Sequence, residues 1–168
     1  MVNGKIIKVC GMREAENIQE IESLQDIDML GFIFYPKSPR YVYELPAYLP
    51  IHTHRVGVFV NEDKQIVSMY ADRFGLNYVQ LHGNESPEYC RSLYSMGIKI
   101  IKAFSISHPK DLKMYISMRK SVTFSCSIPN ANNTAAPVTC STGIFCIPIT
   151  VSFLSFLAEA STLTAPTH

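Results

Sequence analysis

Short apolar runs alternate with longer amphipathic stretches over the first 120 residues of the chain. The runs are rich in Val, Ile, Phe and Tyr and are four to seven residues long: Lys5–Cys10, Met29–Tyr35, Arg55–Val60, Tyr78–Leu81 and Lys99–Phe104. Runs that are apolar at successive positions are typical of strands buried on both faces of a parallel sheet. The sequence therefore predicts five strands in this region.

The stretches between these runs have the spacing of amphipathic helices, with apolar residues on one side and charged residues on the other. Three helices are predicted, over Glu14–Leu24, Glu62–Phe74 and Ser86–Met96. Asn61 and Ser86 are predicted N-caps, and Pro87 suits the first helical position. Gly75 and Gly97 are predicted to end the second and third helices.

Strand starts recur every 21 to 26 residues. So short and regular a strand–helix period favours an α/β fold of the (β/α)8 TIM-barrel type, in which each unit packs on its neighbours. A doubly wound sheet is the alternative, but it usually has a glycine-rich phosphate loop after the first strand, which this chain lacks. About five of the eight βα units of a barrel can be recognised, over residues 1–120.

Composition narrows the classes of function. The net charge of +1 gives no basic patch for nucleic acid or for a membrane surface, so neither is an expected partner. The five cysteines include no C-x-x-C pair, which argues against a metal site or a disulfide framework. The first residues lack the pattern of a signal peptide. A cytoplasmic protein with reduced thiols is the expectation.

Three residues that follow predicted strands could carry chemistry, since barrel active sites lie at the C-terminal strand ends. Cys10 could act as a base or nucleophile if a helix N-terminus or the cations Lys8, Arg13, Lys37 and Arg40 favour its thiolate. Arg40 could bind a carboxylate or phosphate through its planar fork. His82 could exchange protons. The alternatives are a structural cysteine, a solvated arginine and a structural histidine.

Five segments together resemble phosphoribosylanthranilate isomerases, a family of tryptophan biosynthesis. They are Ile7–Met12, Leu30–Val42, Arg55–Asn61, Val79–Gly83 and Ile101–Phe104. Each segment is short, but their order and spacing over residues 1–120 make the resemblance specific.

The resemblance implies a (β/α)8-barrel enzyme that converts an aminoaldose phosphate into an aminoketose, an Amadori rearrangement that needs no cofactor. It implies that Cys10 is the general base that removes the sugar C2 proton. It also implies that Arg40 and His82 bind the substrate, Arg40 at an anionic group and His82 at the rim. The family's general acid is an aspartate at the end of the sixth strand, and two glycine-rich loops hold the phosphate. Neither the aspartate nor the loops can be found here.

Residues 121–168 differ sharply from the rest of the chain. They contain 15 Ser and Thr, three of the five cysteines and a single charged residue, Glu159, whereas residues 1–120 hold the other 28 charged side chains. This composition is typical of a disordered tail, but it also fits translation in a displaced frame. We therefore predict that residues 121–168 are a frameshifted, poorly ordered tail.

The displaced frame can be tested against the genetic code. If one base was lost, or two gained, near codon 120, the neighbouring frame can encode the missing family motifs in order. These are the aspartate across the Ser127 and Ile128 codons, the glycine loop over Asn133–Thr139 and the Ser-Gly-Gly loop over Phe153–Leu163. A genuine tail of this lineage is the alternative.

These observations predict that the chain descends from an isomerase. They also predict that the chain as written is inactive, because the general acid and the phosphate-binding loops of the family are missing. A non-catalytic partial barrel that binds a ligand or a complementing chain is one alternative. Another phosphosugar barrel enzyme is a third possibility, which the motifs around Cys10 and Tyr35–Val42 disfavour. The oligomeric state stays open.

Overall fold

The computed structural model describes residues 6–105, 118, 120–128, 138–139 and 144–148. The strands are β1 (Ile6–Cys10), β2 (Met29–Ile33), β3 (His54–Phe59), β4 (Tyr78–Leu81), β5 (Ile100–Ser105), β6 (Phe124–Ile128), β7 (Val138–Thr139) and β8 (Ile144–Pro148). The helices are α1 (Ala15–Glu22), α2 (Lys64–Phe74) and α3 (Pro87–Ser95). Within the described residues, no helix has the length and apolar character needed to cross a membrane.

The sheet has the topology of a (β/α) barrel. Strands β1 to β6 pair in parallel in chain order, each with the next, and β8 pairs in parallel with the other side of β1. Strand β7 is antiparallel to β8 and also contacts β6, so the sheet curls round towards closure. The five predicted strands are confirmed, and the sheet continues into three strands after residue 120 that the sequence did not predict.

The two faces of the sheet bury different sets of residues. The outer face packs on the helices through one large cluster, which joins strand residues such as Leu30, Phe32 and Leu81 to Ile18 of α1 and Leu93 of α3. The inner face carries a smaller cluster near the strand N-termini, built from Met29, Val56 and Ile101 with Ile6 and Tyr78. The inner cluster closes the lower end of the barrel, so polar groups can gather at the opposite, C-terminal end.

The helix ends follow the predicted signals with one exception. The Ser86 hydroxyl accepts a hydrogen bond from the Tyr89 amide at 3.2 Å, and Gly75 ends α2 in the left-handed conformation, with φ of 54°. The prediction that Asn61 caps α2 is wrong. Asp63 is the N-cap, and its Oδ1 accepts from the Gln65 amide at 2.7 Å.

The connection from β2 to β3 is anchored by a carboxylate at the end of α1. Oε1 of Glu22 accepts hydrogen bonds from three successive amides, Ile51 at 2.8 Å, His52 at 2.6 Å and Thr53 at 3.0 Å. Its other oxygen accepts from the Tyr48 hydroxyl. Burial alone would raise the pKa of Glu22, but these hydrogen bonds outweigh it and lower the pKa below its usual value.

Replacing Glu22 with glutamine is expected to reduce the free energy of unfolding by about 1–3 kcal/mol at pH 7, because charge-assisted hydrogen bonds are lost. A lowered carboxyl pKa stabilises the fold above the unfolded-state pKa and loses that effect as pH falls through the folded-state value. Urea unfolding between pH 7 and pH 3 should therefore show a flatter pH dependence for Glu22→Gln. Glu20→Gln, exposed on the same helix, should behave like the original chain.

Candidate active site

Cys10 lies at the C-terminal end of β1 as a free, half-buried thiol. It pairs in register with Gly31 of β2. A methyl group on Gly31 would lie 2.8 Å from the Cys10 Sγ and 2.7 Å from the Lys8 Nζ. Both groups therefore occupy the space that glycine leaves open, and Lys8, which is 1% exposed, places its ammonium beside the thiol. This arrangement puts a buried cation next to the candidate base.

Arg40 reaches the same strand end from the loop after β2. Its Nη1 donates to the Cys10 carbonyl oxygen at 3.1 Å. The side chain crosses Gly11, whose φ is 104° and where a Cβ would lie 2.8 Å from both Cδ and Nη1 of Arg40. Glycine is required at position 11 for this conformation and for this close approach. The guanidinium is half-buried, so its remaining donors can meet an anionic ligand.

Of the cations that the sequence offered for Cys10, only two are brought to it. Lys8 and Arg40 lie beside it, as described above. Arg13 instead donates to the Pro39 carbonyl oxygen at 3.1 Å, and Lys37 is exposed. Helix α1 begins at Ala15, five residues after the thiol. The sequence suggested two kinds of positive group near Cys10, side-chain cations and a helix N-terminus. The structure brings the cations to Cys10 but not the helix.

His82 follows β4 at the same end of the barrel. Its amide donates to the Phe59 carbonyl oxygen at 2.9 Å, and its side chain reaches solvent. Surrounding protein nevertheless desolvates the imidazole and lowers its pKa, and the cations Lys8 and Lys102 lower it further, whereas Glu85 opposes them. His82 is therefore neutral at pH 7 and can both donate and accept a hydrogen bond.

Two charged residues near His82 were not singled out from the sequence. Glu85 and Lys102 form an ion pair, with Nζ to Oε2 at 3.0 Å. Asn61, which was predicted to cap α2, belongs to the loop that contacts this pair, and its amide donates to Oε1 of Glu85 at 2.8 Å. The signal that could have found the pair is a lysine inside an apolar strand, Ile100–Ser105, which is a position that requires a buried partner.

Within the part of the chain that the structure describes, no group of three or more His, Cys, Asp or Glu side chains could hold a metal ion. A thiol beside the Lys8 ammonium, with the Arg40 guanidinium on the Cys10 carbonyl oxygen and a neutral imidazole at the same end of the barrel, can exchange protons and bind an anion.

Residues 7–125 match the family model of N-(5'-phosphoribosyl)anthranilate (PRA) isomerase. The chain belongs to the PRA isomerase family. The PRA isomerase of Phocaeicola vulgatus is 54% identical over 108 residues, which are 64% of this chain and 52% of that protein. The PRA isomerase of Parabacteroides distasonis is 44% identical over 114 residues, with 64% and 51% covered. The chain thus spans about half the length of the relatives that it matches.

Solved PRA isomerases share the fold. The crystal structure from Thermotoga maritima aligns with a TM-score of 0.63 at 32% identity, covering 76% of this chain and 62% of that one. A PRA isomerase in complex with reduced 1-(o-carboxyphenylamino)-1-deoxyribulose 5-phosphate aligns with a TM-score of 0.58 at 28% identity, covering 78% of each chain. The predicted (β/α)8-barrel family is confirmed. The roles of Cys10, Arg40 and His82 stay predictions.

The gap at Gly31 gives a direct test of the geometry around Cys10. In Gly31→Ala the new methyl group would lie closer to Sγ and to the Lys8 Nζ than van der Waals contact allows, so both must move. We expect the rate of Cys10 alkylation by iodoacetamide, followed by peptide mass spectrometry, to change several-fold. Cys90 is an internal reference, since burial raises the pKa of its thiol to about 11. An unchanged Cys10 rate would mean that the two side chains do not share this space.

Proposed function

We propose that this chain is encoded by a gene for phosphoribosylanthranilate isomerase, which converts N-(5-phosphoribosyl)anthranilate into the carboxyphenylamino-deoxyribulose phosphate in tryptophan biosynthesis. The observation that carries the proposal is the free Cys10 thiol at the end of β1, beside Lys8 and with Arg40 on its own carbonyl oxygen, in a chain of this family. The enzyme would act on a phosphosugar in the cytoplasm without a cofactor.

The proposed reaction begins when a general acid protonates the ring oxygen and the C1–O bond breaks, leaving an iminium between C1 and nitrogen. The Cys10 thiolate then takes the proton from C2. The C2–H electron pair forms a C1–C2 double bond, and the iminium electrons return to nitrogen. A proton added at C1 and one lost from the C2 hydroxyl give the ketone. Atoms and electrons balance, so no redox partner is needed.

In this mechanism Arg40 binds the substrate's carboxylate or phosphate. Its side chain is held beside Cys10 by the 3.1 Å hydrogen bond to the Cys10 carbonyl oxygen, so an anion bound there places a sugar carbon near the thiol. Neutral His82 at the rim supplies a further hydrogen bond to the substrate. The resemblance suggested these roles, and the geometry of Cys10 and Arg40 supports them.

We further propose that the chain as written is inactive. Strand β6 occupies the place next to β5, and its sequence, Phe-Ser-Cys-Ser-Ile, contains no carboxylate. The only acid after residue 120 is Glu159, and the family's glycine-rich phosphate loops are missing from the same region. A shift of frame near codon 120 accounts for all of these losses at once.

Complementation of a tryptophan auxotroph that lacks this isomerase tests both proposals. Four genes are compared: this chain, a version with the frame restored after codon 120, and the Cys10→Ala variant of each. We expect growth with the frame-restored gene alone, with expression of all four verified by immunoblot. Resequencing of the gene around codon 120 accompanies the test.

Each outcome decides a different part of the proposal. Growth with this chain that depends on Cys10 would overturn the proposed inactivity. Failure of the expressed frame-restored protein would overturn the isomerase assignment. If this chain supports growth only when a separate C-terminal half of a PRA isomerase is co-expressed, it acts as a partial barrel that a second chain completes.

A further inference from the structure

A buried ion pair lies next to the candidate site but contributes no group to the proposed reaction. It joins Glu85, just after β4, to Lys102 in β5, with Nζ and Oε2 3.0 Å apart and side chains 2% and 3% exposed. Removing two charges from water is costly unless further hydrogen bonds satisfy both groups. The contacts of each partner therefore show what the pair holds in place.

Lys102 binds the backbone at the ends of two neighbouring strands. Its Nζ donates to the carbonyl oxygens of Leu81 at 3.3 Å, Gly83 at 2.7 Å and Ala103 at 2.9 Å. These three contacts match the three hydrogens of an ammonium group, and the approach of Oε2 of Glu85 adds a charge–charge attraction. Lys102 thus ties the end of β4, on both sides of His82, to β5.

Glu85 binds the same turn from the other side and adds β3 to it. Its Oε1 accepts from the Gly83 amide at 3.1 Å and from the Asn61 amide at 2.8 Å. The side-chain oxygen of Asn61 accepts from the Asn84 amide at 2.7 Å. Gly83 is thus held at its amide by Glu85 and at its carbonyl by Lys102, directly after His82.

We propose that Glu85 and Lys102 are positioning residues of the active site, which fix the turn over residues 82–85 and with it the His82 imidazole at the mouth of the barrel. This proposal depends on the proposed function in one respect, which is that His82 binds the substrate. Neither member of the pair contacts the reacting atoms. Both act through the backbone on either side of His82.

The charges around His82 give this role a signature that a purely structural role lacks. Desolvation by the surrounding protein lowers the pKa of His82, Lys8 from β1 and Lys102 from β5 lower it further, and Glu85 raises it. Loss of Lys102 removes a cation that repels the protonated imidazole. It also frees the turn, which relieves the desolvation of His82. Each of these two changes raises the pKa of His82. Loss of both charges leaves mainly the second effect, because the two charges oppose each other.

The test is an NMR titration of the histidines in the full chain, which needs no turnover. Lys102→Met, the double variant Glu85→Gln/Lys102→Met and the original chain are compared, and His82→Asn identifies the signal. Lys102→Met alone leaves a buried, unpaired carboxylate and can fail to fold. The double variant has two neutral side chains in place of the ion pair, so it is expected to fold even in that case. Lys99→Met, at an exposed position directly before the same strand, is the matched control.

We expect the midpoint of His82 to rise by several tenths of a pH unit in both Lys102 variants and to stay unchanged in Lys99→Met. An unchanged His82 midpoint in the folded double variant would overturn the proposal, even if that variant were less stable. An inactive chain, or failure of the isomerase assignment, would leave these results unaffected.

Discussion

Cys10→Ala is expected to lower the turnover of the frame-restored protein by about 10²- to 10⁴-fold, the usual contribution of a positioned general base. In the proposed mechanism the Cys10 thiol, which lies beside Lys8 at the end of β1, takes the C2 proton, and alanine leaves nothing there to accept it. Cys10→Ser should be almost as inactive, because a hydroxyl is far harder to deprotonate than a thiol. Steady-state kinetics with purified substrate gives the measurement.

Cys90→Ala is the matched control for this loss. Cys90 is fully buried among the outer core residues, so its removal affects packing and leaves the barrel mouth intact. Turnover per folded molecule should stay near that of the parent protein, although stability falls. Cys10→Ala with undiminished turnover would mean that another group removes the C2 proton, and the mechanism proposed for this site would be wrong.

The sequence predicted the strands well because strands buried on both faces appear as continuous apolar runs. Tyr78–Leu81 was predicted without error, and the limits of the strands that begin at His54 and Ile100 differ from the prediction by one residue at each end. The three strands after residue 120 were missed. There the loss of charge dominated the interpretation, although Val, Ile and Phe in those segments favour strands.

The site was predictable only as far as single residues reveal their roles. Cys10 ends β1 and Arg40 lies in the loop after β2, and the barrel topology brings both to the same end of the sheet. Lys8 can lie close to the thiol because residue 31, on a different strand, is glycine and leaves that space open. No local pattern reports such a contact. The Glu85–Lys102 pair was missed for the same reason, since charged residues are mostly exposed and these two are buried only because they meet.

Asn61 shows how two adjacent signals can be confused. Asn61 and Asp63 are both good N-cap residues, and the sequence alone does not rank them. In the structure Asn61 has a positive φ of 50°, a conformation that asparagine tolerates better than most residues. Its side chain binds the Asn84 amide, which leaves the cap to Asp63. Tertiary contacts thus decided between two residues that have similar local propensities.

Phe34→Ala is expected to reduce the free energy of unfolding by about 3–5 kcal/mol, as for other large aromatic residues removed from a core. Phe34 is 2% exposed and lies directly after β2. Its ring centroid is 5.1 Å from that of Phe59, 4.5 Å from Tyr70 and 4.7 Å from Phe74. It therefore joins β2 and β3 to α2, and alanine at this position would leave a cavity among these rings.

A loss of this size is a large part of the roughly 5–15 kcal/mol that stabilises a typical domain. Urea unfolding followed by circular dichroism at 222 nm measures it, and Met69→Ala, half exposed on the same helix, should change stability by less than about 0.5 kcal/mol. Equal effects of the two substitutions would mean that the aromatic cluster does not hold α2 on the sheet. Because Phe34 opens the loop that carries Arg40, its loss should also loosen the guanidinium from the Cys10 carbonyl oxygen and weaken the anion binding that is proposed for Arg40.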